Sequence, residues 1–164
     1  MKMPGYILKF VLVLASAACL GSCMSITPVD VVTDGKDLYF ILENSERIDF
    51  VRVRAVKAAR AAKAAWLLGY DASVPVKERK YLELDQLRYG KKYEGFSWVE
   101  GPFPLKKNVE YLVEINMSGK FAKEIFMVKD DNTVVMPRPK FERQKTREYE
   151  ITTDKNGDKV FKKK

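Results

Sequence analysis

The sequence predicts a mainly β protein: a single antiparallel β-sandwich with one alanine-rich helix and a C-terminal β-hairpin. Short apolar runs alternate with residues that favour tight turns, which is typical of sandwiches. Glycine and asparagine tolerate the positive φ angles that such turns require. The predicted turns are Asp34-Gly35, Ser118-Gly119, Asp130-Asp131-Asn132 and Asn156-Gly157.

Strands are predicted on both sides of the first three turns. The first hairpin joins residues 29–32 to residues 38–42, and the apolar, β-branched residues 48–53 form a further strand. The second hairpin joins residues 109–115 to residues 121–128. These segments form the body of the predicted sandwich.

The alanine-rich residues 55–69 interrupt this pattern and predict a helix that ends near Gly69. Lys57, Arg60 and Lys63 would then form a basic stripe, for which a solvated helix face is favoured over contact with anionic lipid or an acidic partner. A competing interpretation continues the preceding strand and begins the next one at Trp66. Alanine has low strand propensity, so the helix is favoured.

Charge divides the chain at Pro137. Residues 138–164 contain ten basic and five acidic residues, a net charge of +5, whereas residues 23–137 carry only +1. The prolines at positions 137 and 139 favour an extended path. Residues 138–164 are therefore predicted to be a basic arm, and the candidate partner-binding residues within it are Arg138, Lys140, Arg143, Lys145 and Arg147.

The end of this arm predicts a hairpin. With Asn156-Gly157 as a two-residue loop, Lys155 lies opposite Asp158 and Asp154 lies opposite Lys159, which gives two favourable charge pairs. An isolated hairpin is marginal in water, so it either docks on the body or becomes ordered on a partner.

The N-terminus has the features of an export signal. Lys2 and Lys9 precede the apolar residues 10–20, and this run is shorter than the ~20 residues that span a bilayer. The tetrad Leu20-Gly21-Ser22-Cys23 follows. It resembles a bacterial lipobox, and the resemblance implies cleavage before Cys23 and acylation of this cysteine, for example with palmitate.

The alternative is an ordinary secretory signal cut after Ala18, which would leave Cys19 and Cys23 free to pair. The lipobox interpretation divides the chain into a signal peptide (1–22), a sandwich domain (23–137) and a basic arm with its hairpin (138–164). It leaves no free thiol, and because neither Met24 nor Ser25 is aspartate, it favours the outer membrane and a periplasm-facing domain.

Catalysis has little support. The chain has no histidine, which removes the commonest general base and metal ligand, and it has no glycine-rich phosphate loop. Glu83 and Asp85 alternate with leucines and are predicted to lie on a solvated strand face. Asp130 and Asp131 are predicted turn residues. The sequence favours a non-enzyme with no catalytic residue, metal or cofactor.

Residues 88–104 combine aromatic and basic side chains. Lys91, Lys92, Phe96 and Trp98 are candidate partner-binding residues that could stack on a glycan; export makes nucleic acid an improbable ligand. The favoured interpretation is that the aromatic rings, Phe103 included, turn inward and close the sandwich edge.

Part of the same region resembles small immunoglobulin-like domains of bacterial envelope lipoproteins. The resemblance lies in Tyr89-Gly90, residues 102–105 and residues 108–113, and it implies the fold alone.

Two classes of function follow. The first is a membrane-anchored, non-catalytic binding or assembly subunit, held by lipid on Cys23 and contacting an envelope protein, with anionic lipid or glycan as further contacts. The second is a periplasmic inhibitor or immunity protein that blocks a hydrolase or toxin by inserting residues 89–104.

Overall fold

A computed structural model describes residues 25–58, 62–139 and 148–164. The protein is mainly β, and the described part contains one 3-10 turn, at Val76–Glu78, and no helix of seven or more residues. The strands are β1 (Ser25–Thr27), β2 (Val29–Thr33), β3 (Leu38–Ala55), β4 (Trp66–Tyr70), β5 (Leu82–Arg88), β6 (Phe96–Glu100), β7 (Glu110–Met117), β8 (Lys120–Val128), β9 (Val134–Val135), β10 (Tyr149–Thr153) and β11 (Lys159–Lys163).

Nine of these strands form one sheet in the order β1-β8-β7-β3-β4-β6, with β2 and β5 also paired to β3 and β9 paired to β8. The strands β10 and β11 form a separate hairpin. The pairing is antiparallel except between β1 and β8, where Ser25 lies beside Lys120 in a parallel register. The prediction of a purely antiparallel arrangement is therefore wrong at this edge.

The 18-residue strand β3 connects two parts of the sheet. Its first half pairs with β2 and β5, and its second half pairs with β4 and β7. A register shift between Ile41 and Glu46 separates the halves. The ring of Phe40, in the first half, lies 6.2 Å from Trp66 of β4 and 5.8 Å from Phe126 of β8. The sheet therefore curls around one shared core.

Inward-facing side chains of both parts fill this core. Every second residue of β7 from Tyr111 to Met117 is buried in this core, and so are Val51 and Val53 of β3, as strands with one core face require. The largest fully buried apolar side chains are Trp66, Phe40, Phe126, Ile48, Leu68, Leu87, Ile115 and Met117.

The helix predicted for residues 55–69 is not present in the described part of that segment. The strand β3 continues to Ala55, and the Ala65 amide donates to the Val53 carbonyl at 2.7 Å just before β4 begins. The fully buried Trp66 and Leu68 gain more from burial in the core than the alanines would gain from helix propensity. The competing strand interpretation is confirmed, and of the proposed stripe, Lys57 and Lys63 are exposed while Arg60 lies outside the described residues.

The three predicted turns of the body are confirmed. They connect β2 to β3, β7 to β8 and β8 to β9. Gly35, Gly119 and Asn132 have φ angles of 91°, 79° and 66°, the left-handed region that glycine and asparagine tolerate.

The C-terminal hairpin forms with a register shifted by one residue from the predicted one. Thr153, not Asp154, lies opposite Lys159. The Asp154 carboxylate accepts hydrogen bonds from the amides of Asn156 and Asp158 at 2.8 and 2.9 Å. These local bonds favour a longer loop, and they outweigh the two exposed charge pairs that a two-residue loop would create.

This hairpin docks on the body. The ring of Phe161 packs against Tyr39 of β3 at 4.7 Å, and its amide donates to the side-chain oxygen of Gln86 at 3.2 Å. The Gln86 amide in turn donates to the Lys159 carbonyl at 2.7 Å. The hairpin therefore covers the outward side of the first half of β3, where Tyr39, Ile41 and Phe161 form a second small core.

Candidate binding surface

In the described part of the chain, no element covers one side of the opposite part of the sheet, and we call this side the outer face. It consists of the side chains of β1, β8, β7, the second half of β3, β4 and β6 that point away from the core. Because Val51 and Val53 are fully buried, the alternating residues Phe50, Arg52 and Arg54 belong to this face.

A row of charges crosses the middle of the outer face. Arg52, Glu114 and Lys123 are direct neighbours on β3, β7 and β8. Glu114 accepts from Arg52 at 2.7 Å and lies 3.2 Å from Lys123 and 3.5 Å from Arg54. Three cations therefore surround one carboxylate, and with Arg54 included the charged row has an excess of two positive charges.

The geometry of this row sets the protonation of Glu114. Burial would raise the pKa of the Glu114 carboxyl, but hydrogen bonds from Arg52 and Lys123 outweigh that effect and hold the pKa below its ordinary value. The carboxylate is thus ionised at neutral pH, and it positions the three cations around it.

Apolar side chains flank the charged row on both sides. Phe50 lies in line with Asn116 and Phe121, and Leu112 lies in line with Ile125. Among the described residues, the apolar side chains of this face belong to neither core cluster; they are Ile26, Phe50, Leu67, Val99, Leu112, Phe121, Ile125 and Met127. Ile26 and Val99 are 51% and 60% exposed.

The edge strand β6 borders the outer face. Within the described chain it pairs only with β4, so its other edge has backbone groups with no strand partner there. Trp98 and Val99 are exposed on this strand. Exposed apolar residues on an open edge are typical of sites that add a strand or pack against a partner.

The structure separates the candidates predicted in residues 88–104. Phe96 is buried and its ring packs against Tyr70 at 4.6 Å, so it is a core residue. Lys91 forms an ion pair with Asp158 at 2.6 Å and holds the C-terminal hairpin. Lys92 and Trp98 are exposed. The prediction that the aromatic rings turn inward is correct for Phe96 and wrong for Trp98 and Phe103.

One residue of the predicted basic arm reaches the outer face. Arg138 forms an ion pair at 2.8 Å with Glu110, which precedes Leu112 and Glu114 on the same side of β7. Lys140, Arg143, Lys145 and Arg147 lie outside the described residues, as does Cys23.

The two acidic pairs occupy the positions predicted for them. Glu83 and Asp85 are exposed on β5. Asp131 accepts from the Thr133 amide and hydroxyl at 2.9 and 2.7 Å within the turn. In the described ranges, no group of three or more carboxylate, cysteine or histidine residues could hold a metal ion. No helix in those same ranges is long and apolar enough to cross a bilayer.

Sequence reasoning missed the charged row. The sequence does contain a pattern that indicates these outward positions, because Arg52 and Arg54 alternate with buried valines and Glu114 lies between Val113 and Ile115. Each residue alone is an ordinary solvated strand position. Only the register of β3, β7 and β8 brings Arg52, Glu114 and Lys123 together, and this register spans more than 60 residues of sequence.

No protein-family model matches the chain, and neither the curated proteins nor the solved structures contain a significant match. The functional argument therefore rests on the geometry of the outer face and on the sequence.

Proposed function

We propose that the protein is a bacterial envelope lipoprotein, held by lipid on Cys23 and acting as a non-catalytic binding or assembly subunit whose partner contacts the outer face. The proposal includes anchoring in the outer membrane with the domain in the periplasm. The observation that carries it is the outer face itself, where apolar side chains outside both cores surround an ordered row of charges.

This composition favours a protein partner. Interfaces between proteins combine apolar contact area with a few oriented charged groups, and Arg52 already has its guanidinium fixed by Glu114. The excess of two positive charges selects a partner surface with carboxylates at the centre and apolar side chains around them.

Two other occupants are less favourable for electrostatic reasons. A second copy of the same face would bring two positively charged rows together. Lys140, Arg143, Lys145 and Arg147 of the basic arm have the same sign of charge as the row. An acidic partner surface avoids both of these repulsions between like charges.

The alternative function as an inhibitor that inserts residues 89–104 has less support. The Tyr89 hydroxyl donates to the Ala65 carbonyl at 3.0 Å, and the Phe103 amide donates to the same carbonyl at 2.8 Å. Burial raises the pKa of Tyr93 to about 12. These contacts hold the segment on the body, so a long inserting loop is not available. The immunoglobulin-like sandwich stays a prediction, and the proposed function does not depend on it.

The partner surface is tested by crosslinking in cells. A photoreactive amino acid is placed on the outer face at Leu112 or Phe121, and at Glu83 or Ile151 as exposed controls elsewhere. We expect one discrete adduct from the two outer-face positions that the controls do not give. The same adducts from all four positions, or none from the outer face, would contradict the proposed surface.

The electrostatic part has its own test. Arg54→Glu places a second acid beside Glu114 and removes the positive excess, whereas Lys162→Glu makes the same change on the exposed hairpin. We expect the adduct from Leu112 to fall several-fold with Arg54→Glu and to persist with Lys162→Glu.

The anchor is tested separately with Cys23→Ser. We expect labelling with radioactive fatty acid to disappear, and undiminished labelling would contradict the lipobox. Each buried CH₂ contributes about 0.8 kcal/mol to membrane binding, so several acyl chains hold the protein almost irreversibly.

A further inference from the structure

One end of the sheet is defined by a row that crosses five strands. Ser25 of β1 lies beside Lys120 of β8, and the row continues through Met117 of β7 and Ile48 of β3 to Leu82 of β5. We call this the β1 end. With strands about 4.8 Å apart, the row extends roughly 19 Å from Ser25.

Residues 75–81, which precede β5, present a mixed basic and apolar surface at this end. Val76 and Tyr81 are 64% and 47% exposed. Lys77, Glu78 and Lys80 are exposed beside them, and with Arg79 the segment keeps a net charge of +2. The pair of Lys80 with Glu94 at 3.3 Å is a weak surface contact.

Two arginine–tyrosine contacts fix the segment on the body. The Arg47 guanidinium lies 3.0 Å from the centre of the Tyr81 ring, and the Arg79 guanidinium lies 5.4 Å from that of Tyr70. Tyr70 is the last residue of β4, and its hydroxyl donates to the Ile48 carbonyl at 2.8 Å. Residues 75–81 are thus held at the β1 end, and they do not pack into the core.

We propose that the β1 end faces the bilayer and that residues 75–81 contact its anionic headgroups, with Val76 and Tyr81 entering the interface and Lys77 and Lys80 binding phosphate groups. This inference rests on the proposed lipid anchor. Cys23 precedes Ser25 by two residues, which span at most about 7 Å, so the lipid and the β1 end lie close together.

The membrane is the occupant that this geometry favours. A tyrosine ring with an exposed edge beside lysines is typical of membrane interfaces, and basic residues near an anionic surface strengthen binding to it. The outer face begins next to this end, at Ile26 and Phe121, and extends along the strands away from it, so most of the face stays accessible to a protein partner.

A single-cysteine experiment tests this orientation. On the lipobox prediction the mature chain has no free thiol, so Val76→Cys introduces one labelling site. Val135→Cys is the matched control, because Val135 is 37% exposed and pairs with Met127 at the other end of β8. Each variant of the full lipoprotein carries an environment-sensitive fluorophore, in vesicles of phosphatidylglycerol and phosphatidylethanolamine with quencher-labelled lipids.

We expect quenching at position 76 to exceed that at position 135 several-fold. Lys77→Glu with Lys80→Glu should reduce this difference, and uncharged phosphatidylcholine vesicles should reduce it as well. Equal quenching at both positions, in protein that floats with the vesicles, would overturn the orientation and leave the anchor intact. Failure of the unlabelled protein to float would overturn the anchor instead.

Discussion

The two halves of β3 differ in whether another element covers the side that points away from the core. The first half contains Tyr39 and Ile41. The C-terminal hairpin covers both side chains, and they are only 3% and 5% exposed. The second half carries Phe50, Arg52 and Arg54 on the outer face, where the described chain places no second layer. Within the described chain, this strand thus has a covered surface on its first half and an uncovered surface on its second half.

This difference shows that the outer face is not uncovered, within the described residues, for want of an element that could cover it. The protein has a two-stranded element available for covering a sheet, and it uses this element on the first half of β3. Within the described residues, no element covers the outer face, where three cations surround the Glu114 carboxylate. This contrast supports the proposal that a partner completes it.

Removal of the C-terminal hairpin should give the largest loss in the free energy of unfolding. Deletion of residues 148–164 exposes Tyr39 and Ile41 and removes the buried ring of Phe161. Full burial of each such side chain contributes roughly 2 kcal/mol, so we expect a loss of about 4 kcal/mol or more in the free energy of unfolding. Urea denaturation measures it. An unchanged midpoint would show that the hairpin is an appendage and would remove the contrast between the two faces.

A matched pair of phenylalanine substitutions gives the next effect. Phe161→Ala should cost about 3 kcal/mol, because it leaves a cavity against Tyr39. Phe121→Ala on the outer face should cost about 1 kcal/mol or less, because that side chain packs against neither core. The two free energies of unfolding from urea titrations are compared. Equal losses would mean that the outer face is itself a packed surface.

The charged row predicts a smaller effect that depends on pH. Glu114→Gln leaves Arg52, Arg54 and Lys123 without their carboxylate and should cost about 1–2 kcal/mol at pH 7. Because the pKa of Glu114 is lowered in the folded state from 4.5, the stabilisation is complete above pH 4.5 and is lost as the pH falls through the lowered pKa.

Urea denaturation of both proteins at pH 7 and near pH 2 checks this dependence. The stability difference between wild type and Glu114→Gln should shrink in acid. A difference that is the same at both pH values would assign the effect to packing.

The smallest effect concerns the ion pair at the covered face. Hydrogen bonding from Lys91 lowers the pKa of Asp158 below 3.8, so this pair stabilises the fold above pH 3.8 and less as the pH falls through the lowered pKa. The pair is partly exposed, and Asp158→Asn should cost only a few tenths of a kcal/mol at pH 7. Thermal unfolding measures it. A loss as large as that of Phe161→Ala would mean that charge, and not the buried ring, holds the hairpin.

Local chemistry accounts for what the sequence predicted well. Gly35, Gly119 and Asn132 occupy positions that require positive φ, so their turns could be located from residue type alone. The alternation of leucine and acid in β5 likewise gave the correct faces. These features depend on neighbours only a few residues apart.

The features that could not be predicted depend on distant contacts. Trp66 begins a strand because its ring enters the core beside Phe40, although the alanines before it favour a helix. The sequence makes Lys91 a reasonable candidate for a partner contact. In the structure, the hairpin places Asp158 beside it, although Asp158 lies 67 residues further along the chain. The outer-face row needed the same kind of long-range information.

The parallel pairing of β1 with β8 has a mechanical consequence. If lipid on Cys23 holds the chain and a partner holds the outer face, a force that pulls the two apart acts on β1 along the axis of that strand. The bonds between Ser25–Thr27 and β8 then carry this load together in shear, and they are not peeled apart one at a time. Directly after Pro28, the five residues of β2 transfer the remaining load to β3, the strand that connects both parts of the sheet. On this proposed arrangement, the longest strand of the described chain would lie on the line of force.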